Sequence, residues 1–422
     1  MVVELISVGT EILMGNIVNT NAAFLAEQCA SMGLVCYYQT TVGDNEKRLL
    51  ETVNTAMDRA DLIILSGGLG PTGDDITKEV CAKATGRKLV MDGASRVAIE
   101  KYFEKMNRVP TDNNWKQAQV PEGCIVMHND NGTAPGMIIE HEKATLILLP
   151  GPPGELIPMF NDSVKPYISG KQEAVMVSQT VKIVGMGESA VAAAIADLFD
   201  SQTNPTIATY AKTGEVHLRV TARAEDEKKA RKLLKPMIKD LKERFNEHIY
   251  TTDPEITLEE AVVELLVNNE LTVSTVESCT GGLVAGRLIN VSGVSEVFKM
   301  GHITYSNKAK RKIIGVKRST LDKYGAVSEQ VAREMAKGGA LLSKSDVVVS
   351  ITGIAGPDGG SEAKPVGLVY IGCCVKGNVR VQEYHFSGNR AKIRASAVAA
   401  ALVLIRECVL EYVSQVTFGK KK

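Results

Sequence analysis

From Val2 to about Ser169, short apolar runs alternate with longer amphipathic ones: Val2–Val8, Asn21–Met32, Val35–Val42, Glu46–Asp58, Leu62–Leu65 and Ile76–Ala84. That alternation leaves few folds open, because strands separated by helices are joined by crossovers and predict a parallel α/β sheet. Further strands are expected at Gly136–Glu140 and Thr145–Leu149, the second running straight into Pro150-Gly151-Pro152-Pro153-Gly154. In open α/β sheets, ligands sit just past such strand ends.

The pattern changes twice along the chain. Between Lys171 and Thr252 the expected order is strand (Thr180–Val184), helix (Glu188–Phe199), two strands (Thr206–Tyr210 and Glu215–Ala222), helix (Glu225–Phe245) and strand (Ile249–Thr251), a small split βαββαβ unit. Its middle strands are joined through Lys212-Thr213-Gly214, a short link that suits a hairpin. After Thr257 a second α/β pattern begins, with helix Leu258–Asn268, strand Thr272–Val276, helix Gly281–Asn290, strands Lys299–Tyr305, Val347–Thr352 and Gly367–Val375, and helix Arg390–Tyr412. At 422 residues the chain exceeds a single core of roughly 250–300 residues. Three domains follow, at residues 1–169, 170–253 and 254–422, with Thr252-Asp253-Pro254 as the clearest link.

Composition excludes several classes. Lys plus Arg and Asp plus Glu both number 49, so no net field favours nucleic acid or an anionic membrane. Eight cysteines without a C-x-x-C pair argue against a disulfide framework or a zinc ribbon and are consistent with a reducing, cytoplasmic setting. The first basic residue is Lys47, so the start lacks a signal-peptide n-region. The longest apolar stretch, Ala395–Ile405, falls well short of the ~20 residues that span a bilayer and is expected to be a buried helix. Lys420–Lys422 is expected to be a frayed basic tail.

The sharpest chemical cluster is Glu277-Ser278-Cys279-Thr280-Gly281-Gly282, where an apolar strand ends and a helix begins. A nucleophile there is exposed, and the N–H groups of Thr280, Gly281 and Gly282 are candidate donors to an oxyanion. Cys279 is a rival nucleophile, and Ser278 has the competing reading of a helix N-cap. No histidine is placed to serve as base, whereas Tyr305-Ser306-Asn307-Lys308-Ala309-Lys310 offers a tyrosine and two lysines. A lysine depressed by burial can accept the serine proton. The run Ser350-Ile351-Thr352-Gly353-Ile354-Ala355-Gly356-Pro357-Asp358-Gly359-Gly360 after a strand is a candidate phosphate cradle, and Arg390 and Arg394, one helical turn apart, are candidates for a substrate phosphate.

In the first segment the informative run is Ser66-Gly67-Gly68-Leu69-Gly70-Pro71-Thr72-Gly73-Asp74-Asp75, between a strand and a helix. Glycines and helix amides suit phosphate, and paired carboxylates suit a divalent metal that bridges its oxygens. The competing reading of Asp74 and Asp75 is an acidic pair complementing the helix dipole.

These residues carry a resemblance. E-S-C-T-G-G, Y-S-N-x-x-K and T-G-I-A-G-P-D-G-G, in this order and spacing over Thr257–Tyr412, resemble the CinA C-terminal domain, the nicotinamide mononucleotide deamidase. The resemblance implies a Ser/Lys amidohydrolase without a cofactor, releasing ammonia and nicotinate mononucleotide, with Ser278 as nucleophile, Lys310 as base and Tyr305 as an assisting hydroxyl. It further implies that Glu277, Thr280, Gly281, Gly282, Asn307, Gly353, Ala355, Gly356, Arg390 and Arg394 face the substrate. Gly9-Thr10-Glu11, Asn19-Thr20-Asn21 and Asn131-Gly132-Thr133-Ala134-Pro135-Gly136 resemble the CinA N-terminal, molybdopterin-binding-like domain of three-layer α/β fold. There the resemblance implies metal-dependent cleavage of ADP-ribose, the divalent metal near Asp74 and Asp75 and the nucleotide near Glu11, Asn21, Gly67, Gly68, Gly70, Thr72, Gly132 and Thr133. Thr10 stands where a frequent form of the motif has Asp.

The middle segment resembles the KH-like α+β domain of full-length CinA, but Gly185-Met186-Gly187-Glu188 is not a GXXG clamp and aromatics make up only 5% of the chain. A spacer or dimerisation element in a homodimer is expected there, not an RNA site. The rival readings are a competence or DNA-damage scaffold with inactive heads and, by fold analogy alone, a pterin carrier.

Overall fold

The computed structural model describes residues 1–171 and 174–419, with side chains to residue 417, so Lys420–Lys422 lies outside the described residues. The chain divides into two compact units, residues 1–178 with 221–232 and residues 179–220 with 233–422.

The first unit is built on a six-stranded sheet in the order Val35–Val42, Val2–Val8, Leu62–Ser66, Thr145–Leu149, Gly136–Glu140 and Ile125–Met127. Alternate side chains of one strand serve opposite faces. Ile63 and Leu65 pack with Leu49, Val53 and Val80 from the helices on one side, and Leu62 and Ile64 pack with Leu25, Leu156 and Phe160 on the other. Three layers result, with strands buried on both faces. The sheet is not wholly parallel as the alternation predicts: Gly136–Glu140 pairs antiparallel with Thr145–Leu149, and Ile125–Met127 antiparallel with Gly136–Glu140. The reason is chain length, since residues 141–144 make a hairpin and a parallel return needs a crossover of a dozen residues or more.

The middle segment forms a four-stranded sheet in the order Thr206–Lys212, Glu215–Ala224, Val175–Val184 and Ile249–Thr251; the expected hairpin link is there, shortened to Thr213-Gly214 because Lys212 belongs to the strand. The helix expected over Glu188–Phe199 is instead two, Glu188–Ala194 and Ala196–Ser201, because Ile195 leaves helical geometry at φ −120°.

The last segment carries a five-stranded sheet in the order Phe298–Ile303, Val273–Glu277, Val347–Gly353, Leu368–Val375 and Asn378–His385. Its first three strands are parallel and the last two pair antiparallel. The long helix Arg390–Gly419 buries Ala397, Ala401, Leu402, Leu404 and Ile405, as its apolar stretch predicts. Among the described residues no helix is long and apolar enough to cross a membrane. Three helices escaped the sequence reading, Asn307–Ile314, Arg318–Tyr324 and Glu329–Ser343, as did the strand Asn378–His385, whose polar, partly exposed residues give a weak periodic signal.

Helix Glu329–Ser343 packs against helix Asn307–Ile314 through a glycine: a Cβ on Gly338 would lie 1.8 Å from the Ile314 carbonyl oxygen. Gly338→Ala is therefore expected to push the two helices apart at a cost of about 1–3 kcal/mol, read by calorimetry as a lower thermal transition. Gly286→Ala, with no atom within 4 Å of its added Cβ, should leave that transition unchanged or raise it.

Candidate active sites

Strand Val273–Glu277 has parallel neighbours on both sides, Phe298–Ile303 and Val347–Gly353. The chain leaves all three strands at the same end, which brings the Ser278 turn, the segment Thr304–Lys310 and the Gly353–Gly356 loop together. The Ser278 N–H donates to the Ile351 carbonyl at 3.0 Å and the Thr304 N–H to the Glu277 carbonyl at 2.8 Å, so both flanking segments are tied to the turn.

Ser306 caps the helix Asn307–Ile314, accepting from the Ala309 N–H at 3.1 Å, and this sets the helical phase. Lys308 then faces solvent, while Lys310 is 1% exposed. Lys310 Nζ lies 2.9 Å from Ser278 Oγ, 2.8 Å from the Thr304 carbonyl oxygen and 3.3 Å from the Tyr305 carbonyl oxygen. Burial, which strips water from the ammonium, lowers the Lys310 pKa to about 8. Two of the three partners are carbonyls and can only accept. A neutral amine has two protons for them and one lone pair for the serine hydroxyl. Ser278, expected to be exposed, is instead buried with 8% of its surface accessible, and burial pushes the Cys279 thiol up to about 11, against a thiolate at neutral pH.

Several expected ligand contacts turn out to be internal. Glu277 does not face a substrate: it is fully buried, and its carboxylate accepts from the N–H groups of Gly282 at 3.0 Å, Val284 at 3.1 Å and Ala285 at 2.9 Å. It thus caps helix Leu283–Ile289 from below and uses the amide that Gly282 was expected to offer an oxyanion. The Gly281 N–H is used as well, by the Ser278 carbonyl at 3.1 Å. Cys279 and Thr280 retain N–H groups without a carbonyl or carboxylate acceptor. Gly353 ends its strand in register with Val369 and faces that neighbour, not a ligand, and Asn307 is exposed at the first helical position.

Tyr305 meets Lys310 through its main-chain carbonyl, while its hydroxyl lies 3.3 Å from an Arg390 terminal nitrogen. Arg390 also donates to the Gly356 carbonyl at 2.7 Å, so it clips that loop, which includes buried Ala355, to Tyr305. Arg394 is tied to the main chain of the turn. Its Nε donates to the Cys279 carbonyl at 3.0 Å and its Nη2 to the Thr280 carbonyl at 2.8 Å.

The first unit repeats the topology. Strand Val2–Val8 lies between two parallel neighbours, and a cavity of about 560 Å³ opens past the ends of Val2–Val8, Leu62–Ser66 and Thr145–Leu149. Glu11, Asn21, Gly67, Gly68, Gly70, Thr72, Thr133, Asp74 and Asp75 all line it, and Gly132 lies outside it with its backbone against Glu155. Gly67 is required by geometry: at φ +98° its Cβ would lie 2.2 Å from the Val8 carbonyl oxygen. Asn21 Nδ2 donates to the Gly151 carbonyl at 2.6 Å. The Thr72 hydroxyl reaches both Asp74 and Asp75, and its hydrogen bond holds the exposed Asp74 carboxyl below the usual range.

Three contributors were missed from sequence. The Thr10 N–H and hydroxyl each donate to Asp44 Oδ2 at 2.8 Å, so a carboxylate from the end of the adjacent strand Val35–Val42 stands beside Thr10. Lys116 Nζ donates to the Thr72 carbonyl at 2.9 Å and to the Asp75 carbonyl at 2.5 Å, pinning the acidic loop. Glu155, from the helix after Leu149, completes the wall, and burial raises its pKa. Only the strand-end rule applied to residues 43–45 would have found any of them. Among the described residues, five carboxylates, Glu11, Asp44, Asp74, Asp75 and Glu155, line the cavity, and no lysine or arginine does.

Three family models match the chain: "Probable molybdopterin binding domain" over residues 4–170, "Damage-inducible protein CinA KH domain" over 178–251 and "CinA C-terminal domain" over 255–409. A "Putative competence-damage inducible protein" of Clostridium beijerinckii is 51% identical over 411 residues, covering 97% of this chain and 100% of that one. A "CinA-like protein" of Kosmotoga olearia is 49% identical over 413 residues, covering 98% of this chain and 100% of its own. Among solved structures, a competence/damage inducible protein from Agrobacterium tumefaciens is 43% identical, with a TM-score of 0.35, over 35% of this chain and 91% of that chain. With near-complete coverage at about half identity, and all three segments matched in order, the chain belongs to the CinA family.

Proposed function

We propose that this chain is a two-headed nucleotide hydrolase of pyridine nucleotide recycling, with a Ser/Lys amidohydrolase acting on nicotinamide mononucleotide and a metal-dependent pyrophosphatase acting on ADP-ribose. The observation that carries the first activity is the 2.9 Å approach of a desolvated lysine to a serine hydroxyl. Neutral Lys310 takes the Ser278 proton as Oγ attacks the carboxamide carbon, and the former carbonyl oxygen becomes an oxyanion stabilised by the Cys279 and Thr280 amides of the turn. Collapse breaks the C–N bond, and Lys310 returns its proton to the leaving nitrogen as ammonia departs. A water molecule, deprotonated by the same amine, then cleaves the acyl-serine ester and releases nicotinate mononucleotide.

The charge of the N-terminal cavity supports the second activity. A pyrophosphate cannot enter a pocket walled by five carboxylates without a cation to offset them. Among the described residues no group of three or more His, Cys, Asp or Glu forms a ready-made cage. The paired oxygen donors of Asp74 and Asp75 suit a hard divalent ion that draws its other ligands from water and substrate phosphate, and such an ion supplies Lewis-acid charge neutralisation. The Thr72 hydroxyl holds the two carboxylates, and Lys116 holds the main chain of their loop through the Thr72 and Asp75 carbonyls. The middle segment is assigned a spacer or dimerisation role in a homodimer.

The two heads are separable. Ser278→Ala should abolish ammonia release from nicotinamide mononucleotide while ADP-ribose cleavage in the presence of magnesium or manganese stays intact, and Asp75→Asn should give the opposite pattern. A coupled ammonia assay and chromatography of the nucleotide products read both, and loss of both activities in either variant refutes independent heads. Lys310 works only when unprotonated, so deamidase kcat/KM should climb as pH rises through about 8 and level off above it. Lys310→Arg, which stays protonated, should be inactive at every pH; a flat profile between pH 6 and 9 refutes the lysine as base.

A further inference from the structure

We infer that Arg394 is a positioning residue for the reacting turn, acting through the Cys279–Thr280 peptide and not on a substrate phosphate. The inference rests on Ser278 being the nucleophile.

The guanidinium presents Nε and Nη2 to two successive carbonyls, Cys279 at 3.0 Å and Thr280 at 2.8 Å. That forked contact commits the Nε–Nη2 edge of the guanidinium to the main chain of the turn. Arg394 stands in the first turns of helix Arg390–Gly419, next to buried Ile393 and a turn before buried Ala397, so its base is fixed by core packing. The turn it grips is intrinsically loose. Gly281 and Gly282 sit at φ +63° and +94°, and glycine allows neighbouring peptide planes to rotate at little cost.

Orientation of one peptide plane decides the chemistry here. In a trans peptide the carbonyl and the following N–H point to opposite sides. Holding the Cys279 carbonyl on the Arg394 side therefore directs the Thr280 N–H away from it. The neighbouring amides of Ser278, Gly281 and Gly282 are already bonded to Ile351, Ser278 and Glu277, so the oxyanion depends on what Cys279 and Thr280 can offer. Without Arg394, the plane carrying the Thr280 N–H loses the contact that restrains it.

The full-length chain tests this in two assays: kcat and KM for ammonia release from nicotinamide mononucleotide, and the rate at which a fluorophosphonate reagent phosphonylates Ser278 with loss of fluoride. Arg394→Ala should lower kcat by about 100-fold, the scale of losing one oxyanion donor, and slow labelling in parallel while KM changes little. Millimolar guanidinium should restore part of both rates. Arg394→Lys, which keeps the stem but presents a single ammonium, should stay slow; if the alanine variant does not fold, this variant carries the comparison. A raised KM at unchanged kcat would mean a phosphate ligand and overturn the inference, as would unchanged rates in either variant or a slow, normally melting alanine variant that guanidinium does not rescue. If the parent chain is labelled at Ser278 yet releases no ammonia, the deamidase substrate is wrong and the labelling rates alone decide the role of Arg394. If the parent is not labelled, nucleophile and inference fall together.

Discussion

Desolvation of a single ammonium group organises the C-terminal half of this protein. Lys310 is 1% exposed, with no carboxylate partner among the described residues to repay its charge, and the cheapest response of such a group is to release its proton. The carbonyls of Thr304 and Tyr305 orient the amine without neutralising it, and Ser278 receives what is left of its hydrogen-bonding capacity. A salt bridge at this position would hold the lysine charged and idle.

The geometry around that contact follows from strand order. In both units a central strand has parallel neighbours on either side, and both candidate sites sit at the end where the chains diverge, the first of them opening into a cavity. The two sites then differ in electrostatics. One is lined by carboxylates and suits anions only in the company of a cation, whereas the other is built from a depressed amine, main-chain amides and two arginines that stitch its loops together. A shared topology thus carries two electrostatically unlike sites, set by the residues placed at the strand ends.

Much of this was legible from residue order. The strands Val2–Val8, Val35–Val42, Gly136–Glu140, Thr145–Leu149 and Ile249–Thr251 fall on their expected bounds because apolar periodicity is a local property. The motifs at Ser278, Tyr305–Lys310 and Ser66–Asp75 mark where the chain turns at strand ends, and the structure gathers them there. The errors have one origin. Glu277, Gly282 and Gly353 were expected to touch a ligand, and each is occupied by a partner across the sheet or hidden beneath the turn.

Periodicity and turn chemistry, which act over a few residues, were enough to establish the α/β class, the order of segments and the positions of the candidate nucleophile and base. They were not enough to decide between Lys308 and Lys310 without a family resemblance. Those side chains lie about 200° apart around one helix, and only packing against the Ser278 turn determines which of them loses its water. The same holds for Asp44 beside Thr10 and for Arg394 on the Cys279 and Thr280 carbonyls. Contacts between residues dozens of positions apart depend on where strands and helices come to rest against one another, and no window of sequence contains that.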